Sequence, residues 1–329
     1  MNQSRKIRWG VLSTGWMAHK FTLALSTLPG AEILAVGSRT PEKADQFGDE
    51  FRIPRRYGSY RELVGDPDLD IIYVASLHPF HFENAKLCLE AGKAVLLEKP
   101  FTMTAAEADK LIALAHERNL FLMEAMWVRF CPLFRHLKAE ISKGLIGELR
   151  MIQSSYGTRF PWQPGHRSLN PDLAGGALLD IGVYPISLAS FFFGEPPRDI
   201  VSKAHLGETG VDEQSAIILE YSQGKLALLS SAVRTGTCHD SFLYGTDGYI
   251  RIHGPWWQIT DATLDRNGQE TAIHIPKEGS GYNYEAVEAM DCIRLAKIES
   301  ELMPLDETLQ IMLTMDRIRS QWGLRYPFE

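Results

Sequence analysis

Apolar strands and helical segments alternate through the first ~125 residues, and this rhythm restricts the fold more than any other feature. Ile7 to Ser13 reads as a buried strand that runs into a glycine turn and then a helix, Met17 to Leu28. Ala31 to Ser38 is a second strand, followed by a helix from Pro41 to Phe51 with proline at its start. Ile71 to Ser76 is a third strand of continuous apolar type, as a parallel sheet covered on both faces requires. Pro79 to Ala91 reads as a helix closed by Gly92, and Ala94 to Glu98 as a fourth strand. Thr104 and Glu107 open the next helix in the manner of a capping box, and Phe121 to Glu124 is a fifth strand. Repeated βα units predict a doubly wound parallel sheet of Rossmann type.

The rhythm changes after Trp127. A helix from Pro132 to Lys143 leads to a strand near Arg150 to Tyr156, then to a Gly/Pro/Trp-rich loop from Gly157 to Gly175. An apolar helix, Ala177 to Phe193, precedes a succession of strands: Ile200–His205, Gln214–Tyr221, Lys225–Arg234, Ser241–Gly245 and Tyr249–His253. Gly224 and Gly248 stand where hairpin turns belong. The expected second domain is therefore α+β, with a large, open, mostly antiparallel sheet. A chain of 329 residues suits two domains, drawn at 1–125 and 126–329, with the last helix returning to the body.

The first turn reads Gly10-Val-Leu-Ser13-Thr14-Gly15-Trp16-Met17-Ala18, between a strand and a helix. That context fits a dinucleotide fingerprint, although Ser13 and Ala18 replace its first and third glycines. Gly15 keeps the central position, where a side chain would block approach to a pyrophosphate, and the helix N-terminus offers free N–H groups. The second strand ends Gly37-Ser38-Arg39, without the carboxylate that holds the ribose hydroxyls of NAD. A hydroxyl and a guanidinium suit a 2′-phosphate, so the expected cofactor is NADP rather than NAD.

The fourth strand ends Glu98-Lys99-Pro100, with Lys99 at the ligand edge of the sheet. This motif, the glycine turn and Gly175-Gly176-Ala177-Leu-Leu-Asp180-Ile-Gly-Val-Tyr184 resemble the glucose–fructose oxidoreductase/inositol dehydrogenase family. Further stretches carry the likeness along the whole chain: 8–11, 92–95, 123–130 and Gly210-Val211-Asp212. The resemblance implies a dimeric enzyme that moves a hydride between nicotinamide and a CH–OH carbon, with the second-domain sheet as dimer interface; the expected location is cytoplasmic. Asp180 and Tyr184 are four apart on one helix and share a face. Tyr184 takes the substrate proton only if its phenol is acidified, which a nearby Lys99 ammonium does. Asp180 is expected to orient the substrate or the tyrosine. Other family members carry His where Tyr184 stands, so this chain resembles the branch acting on trans-dihydrodiols and aldoses such as D-xylose. Another sugar or cyclitol dehydrogenase, or a non-catalytic NADP sensor, is the alternative.

Ser76, His78 and His81 follow the third strand, in a loop that the resemblance puts near the nicotinamide ribose. Trp127, Arg129, Arg159, Phe160 and Trp162 are candidate walls of the substrate pocket; His166, Trp256 and Trp257 are equally readable as core or dimer contacts. The formal net charge of −7 and the lack of a basic stripe exclude nucleic acid as the main partner. Apolar runs read as strand-length, without a membrane span or signal segment. Cys88, Cys131, Cys238 and Cys292 are widely spaced and expected to be reduced thiols, with no metal site.

Overall fold

The computed structural model describes residues 5–258 and 260–329. Two compact units account for them, one formed by 1–127 with 279–309 and the other by 128–278 with 310–329.

In the first unit, six parallel strands are ordered β3-β2-β1-β4-β5-β6. They are β1 (Ile7–Leu12), β2 (Ala31–Gly37), β3 (Arg55–Tyr57), β4 (Ile71–Val74), β5 (Ala94–Glu98) and β6 (Leu122–Ala125). Helices α1 (Trp16–Leu25), α2 (Pro41–Phe51), α3 (Tyr60–Val64), α4 (His81–Glu90) and α5 (Ala105–Arg118) connect them. β4 and β5 are buried at every position, as continuous apolar strands require. Trp9, Phe21 and Tyr73 form an aromatic column between sheet and α1, with Phe21 stacked on Tyr73 at 3.8 Å. Gly10 is glycine for packing, since a Cβ there would lie 2.8 Å from Leu69. Thr104 Oγ1 accepts the Glu107 N–H at 3.2 Å, and Glu107 accepts from the Met103 N–H, so both donors at the head of α5 are satisfied. β3 has three half-buried, mostly charged residues and no apolar run to announce it.

The second unit is built on an eight-stranded sheet, ordered β14-β13-β12-β11-β7-β10-β9-β8. After α6 (Pro132–Ser142) come β7 (Leu149–Gly157), α7 (Val183–Phe193), β8 (Asp199–Leu206), β9 (Asp212–Glu220) and β10 (Leu226–Ala232). β11 (Ser241–Gly245), β12 (Tyr249–Ile252), β13 (Asp261–Arg266) and β14 (Gln269–His274) complete it. All pairings are antiparallel except β7 with β10. The helix expected from Ala177 begins instead with a π turn, Leu178–Gly182, before α7. The run Pro171–Phe193 is long and apolar enough to cross a bilayer, which the sequence reading overlooked; 89% of its most apolar window is buried inside the fold.

Helix α8 (Tyr282–Arg294) and the segment after it correct the domain boundary: 279–309 packs with the nucleotide unit, not with the second domain. Arg294 Nη2 donates to the Gly30 carbonyl at 3.2 Å, and the Leu122 N–H at the start of β6 donates to Ile298 O at 3.0 Å. The final helix α9 (Leu305–Trp322) carries the chain from one unit into the other.

Candidate active site

The phosphate turn is shaped by two unusual residues. Ser13 has φ +91°, a conformation that favours glycine, which explains why glycine is the usual occupant. Gly15 caps α1 in extended conformation, and among the described residues no side chain caps that end and no acidic residue occupies the first turn. A Cβ at Gly15 would meet nothing closer than Ser13 Oγ at 3.7 Å. The protein itself therefore does not require glycine there. The open cradle above the N–H groups does, if a phosphate is to approach the backbone. Trp16 is exposed beside it, and Thr14 and Met17 are half-buried.

The ends of β2 and β3 bring a residue to this turn that the sequence reading missed. The Tyr60 hydroxyl, at the head of α3, lies close enough to Ser13 for the serine to act on its acidity. Burial pushes its phenol up, while Ser13 and the Arg39 guanidinium act in the other direction. Ser13, Tyr60 and Arg39 are thus neighbours, with Ser38 buried beneath and Arg39 exposed. The donor set fits the phosphates of a dinucleotide: a helix end without a side-chain cap, two hydroxyls and an exposed cation.

At the end of β4 the structure corrects one assignment. His81 is not a ring lining the cofactor; it is fully buried, with Nδ1 2.8 Å from Pro100 O and Nε2 3.0 Å from Ser76 O. A neutral imidazole donates from one nitrogen only, so one of these contacts is a hydrogen bond at a time. His81 ties the Ser76 loop to the Lys99–Pro100 loop. Ser76 Oγ is buried and has no hydrogen-bond partner among the described residues, which leaves it available to a ligand. His78 is buried, its ring 5.6 Å from that of His81. Burial lowers His81 from its ordinary 6.5 to about 4, overcoming the two carbonyls. Its stabilising contribution, roughly 3 kcal/mol, is therefore complete above pH 6.5 and lost as pH falls through about 4. His81→Asn should lose this acid sensitivity, measured as urea unfolding at pH near 4.5 against pH near 7; equal pH dependence in both proteins would contradict it.

Glu98 is also turned inward. It accepts a hydrogen bond from the Tyr73 hydroxyl in the unit's interior. The Glu285 carboxyl on α8 is fully buried, and burial and the Glu98 charge push it well above the usual carboxylate range. Lys99, next in the chain, is half-buried. Trp127 is buried against the ring of Tyr282, 4.8 Å away.

In the second unit, Asp180 and Tyr184 lie in a group of aromatic rings. Tyr184 is 8% exposed and its ring lies 5.5 Å from Tyr156 and 6.5 Å from Trp256. Tyr156 stacks on Trp257 at 3.6 Å, and His239 packs against both. Asp180, 3% exposed, forms an ion pair with Arg167 at 2.9 Å. Tyr156 responds to the same charges: its phenol is pushed up to about 12 by burial, then by Asp180, against Arg167. Asp180 and Tyr184 therefore face a common neighbour despite the π turn. Trp256 and Trp257 join this cluster, a question the sequence left open. Tyr156, Arg167 and His239 were missed.

Other proposed pocket walls fall elsewhere. Arg129 is 1% exposed, with Nε donating to Ser187 Oγ at 2.8 Å and Nη2 to Ser187 O at 3.0 Å. It braces α7 from the interior and is not a substrate-facing arginine. Trp162 lies under Arg234 at 5.3 Å and lines a cavity with His205, Glu208 and Glu213, whose lining does not include Asp180. Phe160 packs on His166, and Arg159 is exposed.

Residues 7–126 match the family model described as an oxidoreductase family with an NAD-binding Rossmann fold, and residues 134–251 match the GFO/IDH/MocA C-terminal domain. The chain belongs to the GFO/IDH/MocA family. As a member it is an NAD(P)-binding oxidoreductase. Among its family relatives is a trans-1,2-dihydrobenzene-1,2-diol dehydrogenase of Xenopus laevis, 39% identical over 97% of this chain and 99% of the relative. The human protein of that name is 34% identical, over 98% of both chains. A family structure, the 3-ketoreductase KijD10 of Actinomadura kijaniata with NADP and TDP-benzene, superposes with TM-score 0.88 at 26% identity, covering 96% of this chain and 98% of that one.

Proposed function

We propose that this family member is an NADP-dependent dehydrogenase acting on a CH–OH carbon of a trans-dihydrodiol, an aldose or a related polyol, with Tyr184 as acid/base. The observation that carries this reading is the group around Tyr184: a phenol flanked by Tyr156 and Trp256, beside a buried Asp180 held by Arg167. Flat aromatic walls suit a ring-shaped substrate, and a paired carboxylate is a fixed acceptor for its hydroxyls. Relatives named for a cyclic diol support the same substrate class.

When bound, the nicotinamide supplies hydride exchange with the substrate carbon. The chain supplies the rest. The α1 end, Gly15, Ser13 and Tyr60 would hold the phosphates. Tyr184 takes the proton from the substrate hydroxyl during oxidation and returns it during reduction. The Lys99 ammonium is the proposed cation that favours the phenolate, and Asp180 the proposed group that orients the substrate. Absorbance of reduced cofactor, with NADP and a panel of cyclic diols, pentoses and hexoses, tests this. Turnover with members of the panel is expected; a protein that binds NADPH yet transfers nothing in either direction would contradict it.

The preference for NADP rests on Arg39, exposed at the end of β2 with no carboxylate beside it in the Gly37-Ser38-Arg39 turn. Removing a charged hydrogen-bond partner costs about 1.5–3 kcal/mol. Arg39→Ala should weaken NADP binding about 10- to 100-fold and leave NAD binding nearly unchanged by titration calorimetry; equal losses for both would count against it.

The proposed homodimer rests on the outer face of the second sheet. Val201, Ile218 and Leu228 are exposed and directly opposite one another across β8, β9 and β10. Cross-strand apolar rows of this kind are stable when another surface covers them. Sedimentation should give a dimer for the natural chain and a monomer for Ile218→Lys/Leu228→Lys; a monomeric natural chain would contradict the proposal.

A further inference from the structure

The Gly210-Val211-Asp212 stretch has no role in the proposed mechanism, yet Asp212 is tightly constrained within the second unit. It is the first residue of β9 and fully buried. Its Oδ2 accepts the N–H of Leu178, the first residue of the π turn, at 2.7 Å. Gly176, two residues earlier, has φ +116°, and a Cβ there would come 2.1 Å from Asp212 Oδ1. The carboxylate thus occupies the volume that any side chain at 176 would need. Gly175 is held from the other side, where the Tyr326 hydroxyl donates to its carbonyl at 2.8 Å. Arg319 lies over the Tyr326 ring and pairs with Asp316 and Glu329, so the C-terminal tail is locked into the same cluster.

A π turn holds one residue more than regular helix would, and such turns occur often at functional sites. Were it to relax to α geometry, residues beyond it would rotate by about 100°. Tyr184 would then turn relative to the chain before the turn. An anion at the N-terminal end, accepting the N–H at the turn's first residue, fixes where the helix starts.

We propose that Asp212 is a positioning residue for Asp180 and Tyr184, a clamp that holds the entry to the π turn in a single register. The role of those two residues rests on the function proposed above. The Leu178 N–H donates to the carboxylate, and the N–H groups of Ala177 and Asp212 itself, with Arg319 and Tyr326, are near enough to act on its charge. Burial raises the Asp212 carboxyl to about 7 against the pull of those donors and of Arg319. The charged, stronger clamp therefore forms as pH rises through neutrality.

The test compares Asp212→Ala and Asp212→Asn with the natural protein. Misplacement of about 1 Å at a reacting group costs up to ~10²-fold, so Asp212→Ala should lower kcat at least about tenfold without changing the affinity for NADPH. Asp212→Asn keeps an acceptor for the Leu178 N–H. It should recover most of kcat while losing the step in the kcat–pH profile near 7. Amide hydrogen exchange at Leu178, which needs no turnover, should accelerate in Asp212→Ala. A folded Asp212→Ala with natural kcat or natural exchange would overturn the proposal. If that variant does not fold, an Asp212→Asn profile identical to the natural one would do so. Loss of Leu178 protection in a protein that turns over no substrate even before mutation would instead overturn the functional reading and leave the clamp standing.

Discussion

Tyr184→Phe is expected to lower kcat by about 10²-fold or more and to leave NADPH binding nearly intact. Loss of a positioned general acid/base costs that much, because the substrate proton must then leave to water. The substitution deletes one oxygen. The ring that packs near Tyr156 and Trp256 is kept, so the aromatic cluster has no reason to collapse. Losing a hydroxyl's hydrogen bond costs about 1 kcal/mol of stability, an effect that a thermal melt separates from the catalytic one. Cofactor affinity should hold because the phosphate turn belongs to the other unit. Stopped-flow measurement of a single turnover distinguishes the chemical step from product release. A variant with unchanged single-turnover rate would remove Tyr184 from the mechanism.

Lys99→Met should lower kcat by a comparable ~10²-fold, through a different cause. Methionine keeps most of the aliphatic stem and removes the ammonium. Without a cation to favour the phenolate, oxidation should need higher pH, so the rising limb of the kcat–pH profile moves alkaline. Lys99 stands between two anchored neighbours, Glu98 bonded to Tyr73 and Pro100 contacted by His81, so the loop itself should persist in the variant. A profile lowered in amplitude but unmoved along the pH axis would show that Lys99 only helps binding.

The alternation of continuous apolar strands with capped helices made the Rossmann half readable, because its period and its caps are local properties of the chain. β3 escaped because Arg55-Arg56-Tyr57 is half-buried and carries no apolar pattern. The β13–β14 hairpin was overlooked although its turn, Asn267-Gly268 with both residues at positive φ, is a strong local signal. Its strands are polar and largely exposed, so hydrophobicity gave no support.

Around the proposed site, turn type was legible from residue type, as at Gly15, which opens α1 directly after a strand. A residue's role was not legible where it depends on which way the side chain points. Arg129 and His81 follow strand ends, as ligand-facing residues do, but each finds its partners in the interior: Ser187 for the one, two carbonyls for the other. Arg167 could not be told from Arg159 in a loop without periodicity, and only the former reaches Asp180. The 279–309 segment joins the nucleotide unit through contacts such as Arg294 with Gly30, which no local pattern announces.

In the proposed mechanism Lys99 and Tyr184 act as a single device, the ammonium being useful only through the phenol. A double-mutant cycle on the single-turnover rate, with Lys99→Met, Tyr184→Phe and the pair, asks this directly. The double variant should be no slower than the slower single variant. Losses that multiply would mean that the two residues work independently, and would contradict the mechanism.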